Sequence, residues 1–220
     1  VTSAIAANKA NYGPAIDALA AKLAVESAAL HAVLAVEVGE IPPDGGMPTL
    51  RFEVHVCQDR AGGKRAALAE VIQLRPPADA PRYDGRGHFY LRNKVWVPVH
   101  ASQGDEYAAM IGAARVVGDV ALESASWGVA QIMGFNWPLL DYKSVRRYVG
   151  SAIAGGVTKQ LDHLGRFIQA SDGMLDALRT RDWLTFATEY NGTGQPAKYA
   201  TLLEAAYAEA SSMPGNSNNA

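Results

Sequence analysis

Two carboxylates stand where a proton could be moved. Glu37 lies in the last turn of ESAALHAVLAVEVG (26–39), an alanine- and leucine-rich stretch that reads as a helix stopped by Gly39. Glu53 lies in TLRFEVHVC (49–57), where apolar and polar residues alternate as in a strand. That spacing predicts Leu50, Phe52, Val54 and Val56 on one face, and Arg51, Glu53, His55 and Cys57 on the other. Burial beside Val33, Leu34 and Val36 would disfavour the charged form of Glu37, and the negative end of a helix dipole acts in the same direction. A carboxyl that keeps its proton can protonate a leaving oxygen. A second carboxylate can guide a water or steady positive charge on a sugar ring, so the pair suits glycoside hydrolysis, with their separation deciding retention or inversion. On spacing alone, solvation or capping is the more ordinary fate for a glutamate at a helix end. His55 beside Glu53 suits a base, a hydrogen-bond partner or a structural role, since one His with one Glu is no metal-binding constellation.

A further stretch, ALESASWGVAQIMGFNW (121–137), crowds Glu123, two tryptophans, Gln131 and Asn136 between small residues. Glu123 with Ser124 and Ser126 beside it is expected to be hydrogen-bonded and ionised, which suits ordering a loop or touching substrate better than donating a proton.

The elements that must position these groups are mostly helical. PAIDALAAKLA (14–24) has helical spacing with Pro14 in a tolerated first turn, and the loop EIPPDGGMP leads into the alternating segment. HFYLRNKVWVPV (88–99) reads as a hairpin around Arg92, Asn93 and Lys94. Beyond it the sequence predicts helices over 105–122, 128–133, 144–153, 157–170, 174–178, 182–190 and 198–209, and a disordered tail over 211–220. One domain over 1–210 is expected, because 220 residues with 49% hydrophobic content can bury a sizeable core. The balance of 20 basic and 22 acidic residues argues against nucleic acid as a main partner. Cys57 is the only cysteine, which excludes an internal disulfide and a thiol-based zinc site. No run of about 18 apolar residues could span a bilayer, and the first residues lack the pattern of a signal peptide, so membrane insertion is not expected.

Three segments carry a resemblance to a known family. AVLAVEVGEIPPDGGMPTLRFEVHVC (32–57), ESASWGVAQIMGFNW (123–137) and DWLTFATEYNGTGQPAKYATLLEAAY (182–207) resemble the landmarks of the N-acetylmuramidase family of bacteriophage endolysins and related bacterial proteins. The resemblance runs from about Glu26 to Tyr207; the middle from Asp59 to Gln103 lies outside it, and its hairpin reads as an insertion. It implies a mainly α (α+β), lysozyme-like fold: a helical bundle with a small antiparallel β-region after the helix that carries the catalytic glutamate. The family's glutamate, usually within Val-Glu-Ser, falls on Glu37, with Val38 in place of the serine. A literal Val-Glu-Ser at 25–27 lacks the loop and strand that should follow, which makes Glu26 a first-turn residue. Glu53 becomes the second carboxylate.

By likeness to the wider lysozyme and transglycosylase group, Glu123, Trp127, Gln131, Tyr190, Asn191 and His55 are expected to contact glycan, whereas Trp137 and Trp183 are expected in the core. The implied activity is cleavage of the β-1,4 bond between N-acetylmuramic acid and N-acetylglucosamine in bacterial peptidoglycan, by a monomer without metal or organic cofactor, acting at the cell wall after release or export. Two other readings stay open: a lytic transglycosylase, which needs only one glutamate, and a non-catalytic peptidoglycan-binding protein.

Overall fold

The computed structural model describes residues 1–75, 87–192 and 194–213. In chain order its elements are α1 (Thr2–Leu23), α2 (Ser27–Glu37), β1 (Leu50–Phe52), α3 (Val54–Arg60), α4 (Arg65–Ala69), β2 (Ile72–Gln73), β3 (Phe89–Arg92) and β4 (Val95–Pro98). There follow α5 (Gln103–Val117), α6 (Asp119–Glu123), β5 (Ala125–Trp127), β6 (Ile132–Met133), α7 (Val145–Ala154), α8 (Gly156–Gln169), α9 (Asp172–Thr180), α10 (Trp183–Asn191) and α11 (Pro196–Ser212). The architecture is mainly α with small antiparallel sheets, as expected. It divides into two compact units, one built from 1–46 and 155 onward, the other from Met47–Ala154. The tail expected from 211 begins with the end of α11, and beyond Met213 it lies outside the described residues.

In the first unit α2 is buried along nearly its whole length, from Ala28 to Ala35, because it is apolar on every face. Alanines let its neighbours approach closely: Ala28, Ala32 and Ala35 pack with Ala4 and Ile5 of α1 and with Ala206 and Ala210 of α11. α1 begins at Thr2, so Pro14 sits in its interior rather than in a first turn. The apolar stripe decides this, since Ala4, Ile5 and Asn8 upstream are buried in phase with Ile16, Leu19 and Leu23. Their burial outweighs the backbone hydrogen bond that proline cannot make. Glu26 holds the start of α2: it accepts the Tyr207 hydroxyl and lies 3.5 Å from Arg181.

The same unit encloses His31 and His163. Neither ring nitrogen of His31 has a hydrogen-bond partner among the described residues, and Asp17 lies 3.6 Å from Nε2. Burial pushes both rings below the ordinary histidine value, His163 to about 4. An unfolded chain takes up these protons near pH ~6.5 whereas the folded unit refuses them, so stability is full above ~6.5 and is lost as pH falls toward ~4. The melting temperature should fall by about 5 °C or more between pH ~7 and pH ~4.5, and His163→Gln should flatten that decline. A melting temperature independent of pH over this window would contradict the assignment.

The second unit carries two three-stranded antiparallel sheets, β1-β5-β6 and β2-β3-β4, where the sequence predicted one β-region. The hairpin is as expected: β3 and β4 pair, and Asn93 and Lys94 turn the chain with φ of 51° and 65°. The long alternating strand is not formed. β1 ends at Phe52 and the chain turns into α3, so Arg51, Glu53, His55 and Cys57 do not line one strand face. The residues after Phe52 also carry a helical period, with Val54, Cys57, Gln58 and Ala61 buried, and only three residues find a partner in β5. Nor is 128–133 a helix. Gly128–Ala130 make one 3-10 turn, Gln131 is left-handed, and Ile132–Met133 pair with Trp127 and Ser126 as β6. Gly118 (φ 64°) splits the helix expected over 105–122 into α5 and α6. No single helix among the described residues is long and apolar enough to cross a membrane.

Candidate active site

Glu37 closes α2, half-buried, behind the buried Val33 and Leu34. The loop that follows is pinned by α1. Asn8, 1% exposed, donates from Nδ2 to the Gly39 carbonyl (2.8 Å) and accepts the Ile41 N–H on Oδ1 (2.8 Å), and the Tyr12 hydroxyl donates to the Pro42 carbonyl (2.8 Å). A buried amide that uses both ends on one loop fixes where the helix stops. Farther along, Asp44 accepts the Val157 N–H (3.0 Å) and so caps the start of α8. Residues before Glu26 therefore take part in setting up Glu37, although the sequence resemblance begins only there.

In the second unit Glu53 occupies the turn between β1 and α3, its N–H donating to the Ser124 carbonyl (2.9 Å). β1 is gripped on both edges. β5 pairs with one, while α5 supplies side chains to the other: Gln103 accepts the Leu50 N–H (2.8 Å) and donates to its carbonyl (2.9 Å), and Glu106 accepts the Phe52 N–H (2.8 Å). Around Glu53 the neighbouring side chains are basic. Arg51 Nε lies 3.7 Å from one carboxylate oxygen, and His55 Nδ1, on the first turn of α3, 3.6 Å from the other.

Arg51 also reaches Glu106 at 3.8 Å. Glu106 is 3% exposed and lies 2.7 Å from His100 Nδ1, and His100 Nε2 lies 2.8 Å from His88 Nδ1. The ring of His88 is 6.4 Å from that of His55. Sequence reasoning missed Arg51, His88, His100 and Glu106 as one cluster. A signal was present: Glu106 sits in phase with Ala109, Met110, Ala113 and Val117 on the buried stripe of α5, a place where a carboxylate is costly unless fully partnered. The hairpin taken for an insertion delivers His88 and His100.

Glu123 ends α6 rather than following it, and its partners are not the serines. Arg60 Nη2 lies 2.7 Å from Oε2, and the Trp137 indole N–H donates to Oε1 at 3.4 Å. Ser124 bonds back to Val120, and Ser126 to Gln131. A carboxylate held by a guanidinium ties α3 to α6.

Two of the residues expected at the glycan make their polar contacts within the fold. Trp127 is 3% exposed, its indole N–H bonded to the Leu122 carbonyl (3.0 Å) and its ring against Tyr107. Gln131 spends its amide inside the loop, accepting from Ser126 (2.9 Å) and donating to Gly128 (2.9 Å) and Thr49 (3.3 Å). Both build the β5–β6 corner. In the first unit Tyr190 stacks on Phe186 (5.5 Å) and meets Phe167 edge-on (5.8 Å). Asn191 is the last residue of α10, and its side chain lies outside the described part. Trp183 is buried against Tyr207, whereas Trp137 is only half-buried and serves Glu123.

The N-acetylmuramidase family model matches residues 26–211. A solved structure, the crystal structure of Burkholderia AP3 phage endolysin, superposes with a TM-score of 0.65 at 32% sequence identity, covering 90% of this chain and 69% of that one. No curated protein matches.

Proposed function

This chain belongs to the N-acetylmuramidase family, and we propose that it cleaves the β-1,4 bond between N-acetylmuramic acid and N-acetylglucosamine, with Glu37 as proton donor and Glu53 as second carboxylate. As a muramidase it is a glycoside hydrolase whose substrate is peptidoglycan, and the non-catalytic reading falls away with that assignment. The observation that carries the finer reading is the setting of Glu37. A carboxyl sits at the end of a buried helix, and the loop after it is locked by a buried asparagine. Such a setting holds the carboxyl in place, as donation to a bridging oxygen requires. Loss of that oxygen leaves an oxocarbenium-like sugar. Glu53, with Arg51 and His55 fixing its orientation, steadies this charge while water completes hydrolysis.

In this reading the protein acts on the bacterial cell wall, in the manner of an endolysin, as a monomer and without a cofactor. Digestion of purified peptidoglycan followed by mass spectrometry tests it. Hydrolysis leaves fragments with reducing N-acetylmuramic acid ends. Fragments lighter by one water, carrying anhydro ends, would instead make the enzyme a transglycosylase and free Glu53 from any chemical role.

A further inference from the structure

With both rings neutral, the geometry of the cluster beyond Glu53 orders its hydrogens. A carboxylate can only accept, so at 2.7 Å from Glu106 the Nδ1 of His100 carries a hydrogen. Neutral His100 then has a lone pair on Nε2, and the hydrogen shared by the two rings, 2.8 Å apart, belongs to His88 Nδ1. Neutral His88 is left with a lone pair on Nε2. That nitrogen makes no hydrogen bond to the described residues and is not among their enclosed, unpaired polar atoms. A half-buried ring is thus held as a hydrogen-bond acceptor in the tautomer that a free imidazole adopts less often.

We propose that Glu106, His100 and His88 form a proton relay whose outer atom, Nε2 of His88, takes the proton of the water that attacks the sugar. The inference rests on the muramidase reading and deepens it, because it leaves Glu53 to stabilise charge rather than to act as base. One O–H bond of the water breaks as Nε2–H forms on His88, and the oxygen uses that electron pair for its new bond to the anomeric carbon. The Nδ1 hydrogen of His88 passes to Nε2 of His100, which keeps its own Nδ1–H to Glu106. Positive charge then rests on His100 against a buried carboxylate, where it is best compensated. Reversal of the same steps returns the proton to solvent after product leaves. Burial first, then the neighbouring His100, His55 and Arg51, holds His88 down to about 4 against the pull of Glu106, so the ring passes a proton onward rather than keeping it.

Nitrogen-15 NMR of the histidines in the intact protein reads this directly. Near neutral pH His88 should appear as the neutral Nδ1–H tautomer, and His100→Gln should return it to the Nε2–H form. His88→Gln should lower kcat on soluble peptidoglycan fragments by about 10- to 100-fold with KM nearly unchanged, in protein that melts like the wild type. An Nε2–H tautomer for His88 in the wild type, or a His88→Gln variant with normal kcat, overturns the relay. Normal activity in Glu37→Gln would overturn the muramidase mechanism instead and leave the tautomer result standing.

Discussion

Glu37→Gln should fold normally and release soluble fragments from purified cell walls about 10²- to 10⁴-fold more slowly than the wild type. The amide has nearly the same shape as the acid, so the end of α2 and the Asn8 clamp on Gly39 and Ile41 should survive. What is lost is the proton. A bridging oxygen is a poor leaving group until protonated, and the amide has no acidic hydrogen to give. Glu123→Gln is the informative contrast. It weakens an ion pair with Arg60 whose two side chains are 43% and 21% exposed, and such a partly solvated pair contributes little. Its amide oxygen can still accept from Arg60, so activity should stay within about tenfold of the wild type. Equal losses in the two variants would refute this division of roles, and an active Glu37→Gln enzyme would remove Glu37 from the chemistry.

Gly134→Ala should be the most damaging single methyl in the second unit. A Cβ at this position would stand 2.0 Å from the Leu122 carbonyl oxygen and 2.8 Å from Glu123 Cα. These are backbone atoms at the end of α6, which cannot rotate aside as a side chain can. Relief requires the 3-10 turn Gly134–Asn136 to move off α6, pulling on the β5–β6 pairing before it and on the Trp137–Glu123 hydrogen bond after it. The cost should reach about 3 kcal/mol or more, near the upper end for overpacking, and the melting temperature should drop by roughly 10 °C. Gly150→Ala is the control. It lies inside α7 with nothing within 4 Å of the new Cβ, so the better helix former should stabilise by up to about 1 kcal/mol. Similar melting temperatures for the two variants would show that the close approach at Gly134 is not real.

How legible the site was depended on the kind of signal each residue leaves. Glu37 could be placed because a long apolar stretch followed by a glycine-rich loop marks a helix end locally. Glu53 could be singled out, yet its surroundings were misdrawn, because FEVHVC satisfies the period of a strand and that of a helix. With β5 pairing only Leu50, Arg51 and Phe52, the helical period takes over from Val54. Trp127 and Gln131 were chosen for being aromatic and amide-bearing. Residue type says nothing about whether a ring or an amide is already used within the fold, and both are. Asn8 and Glu106 left a fainter trace, a polar residue in phase with an apolar stripe, which points to burial but not to a partner.

By itself the sequence determined the helical character, the hairpin at Asn93 and Lys94, the family, and the helix-end position of the leading carboxylate. All of these follow from contacts between near neighbours along the chain or from motifs written in consecutive residues. Only the tertiary structure decided that β1 stops after three residues, that Trp127 is buried and the Gln131 amide is bonded within its own corner, and that Glu106, His100 and His88 join hands behind Glu53. The reason is physical: these contacts are set by how the chain folds back on itself, bringing Glu106 to Phe52 across 54 positions and Gln131 to Thr49 across 82. No local period records which distant group will satisfy a buried polar atom.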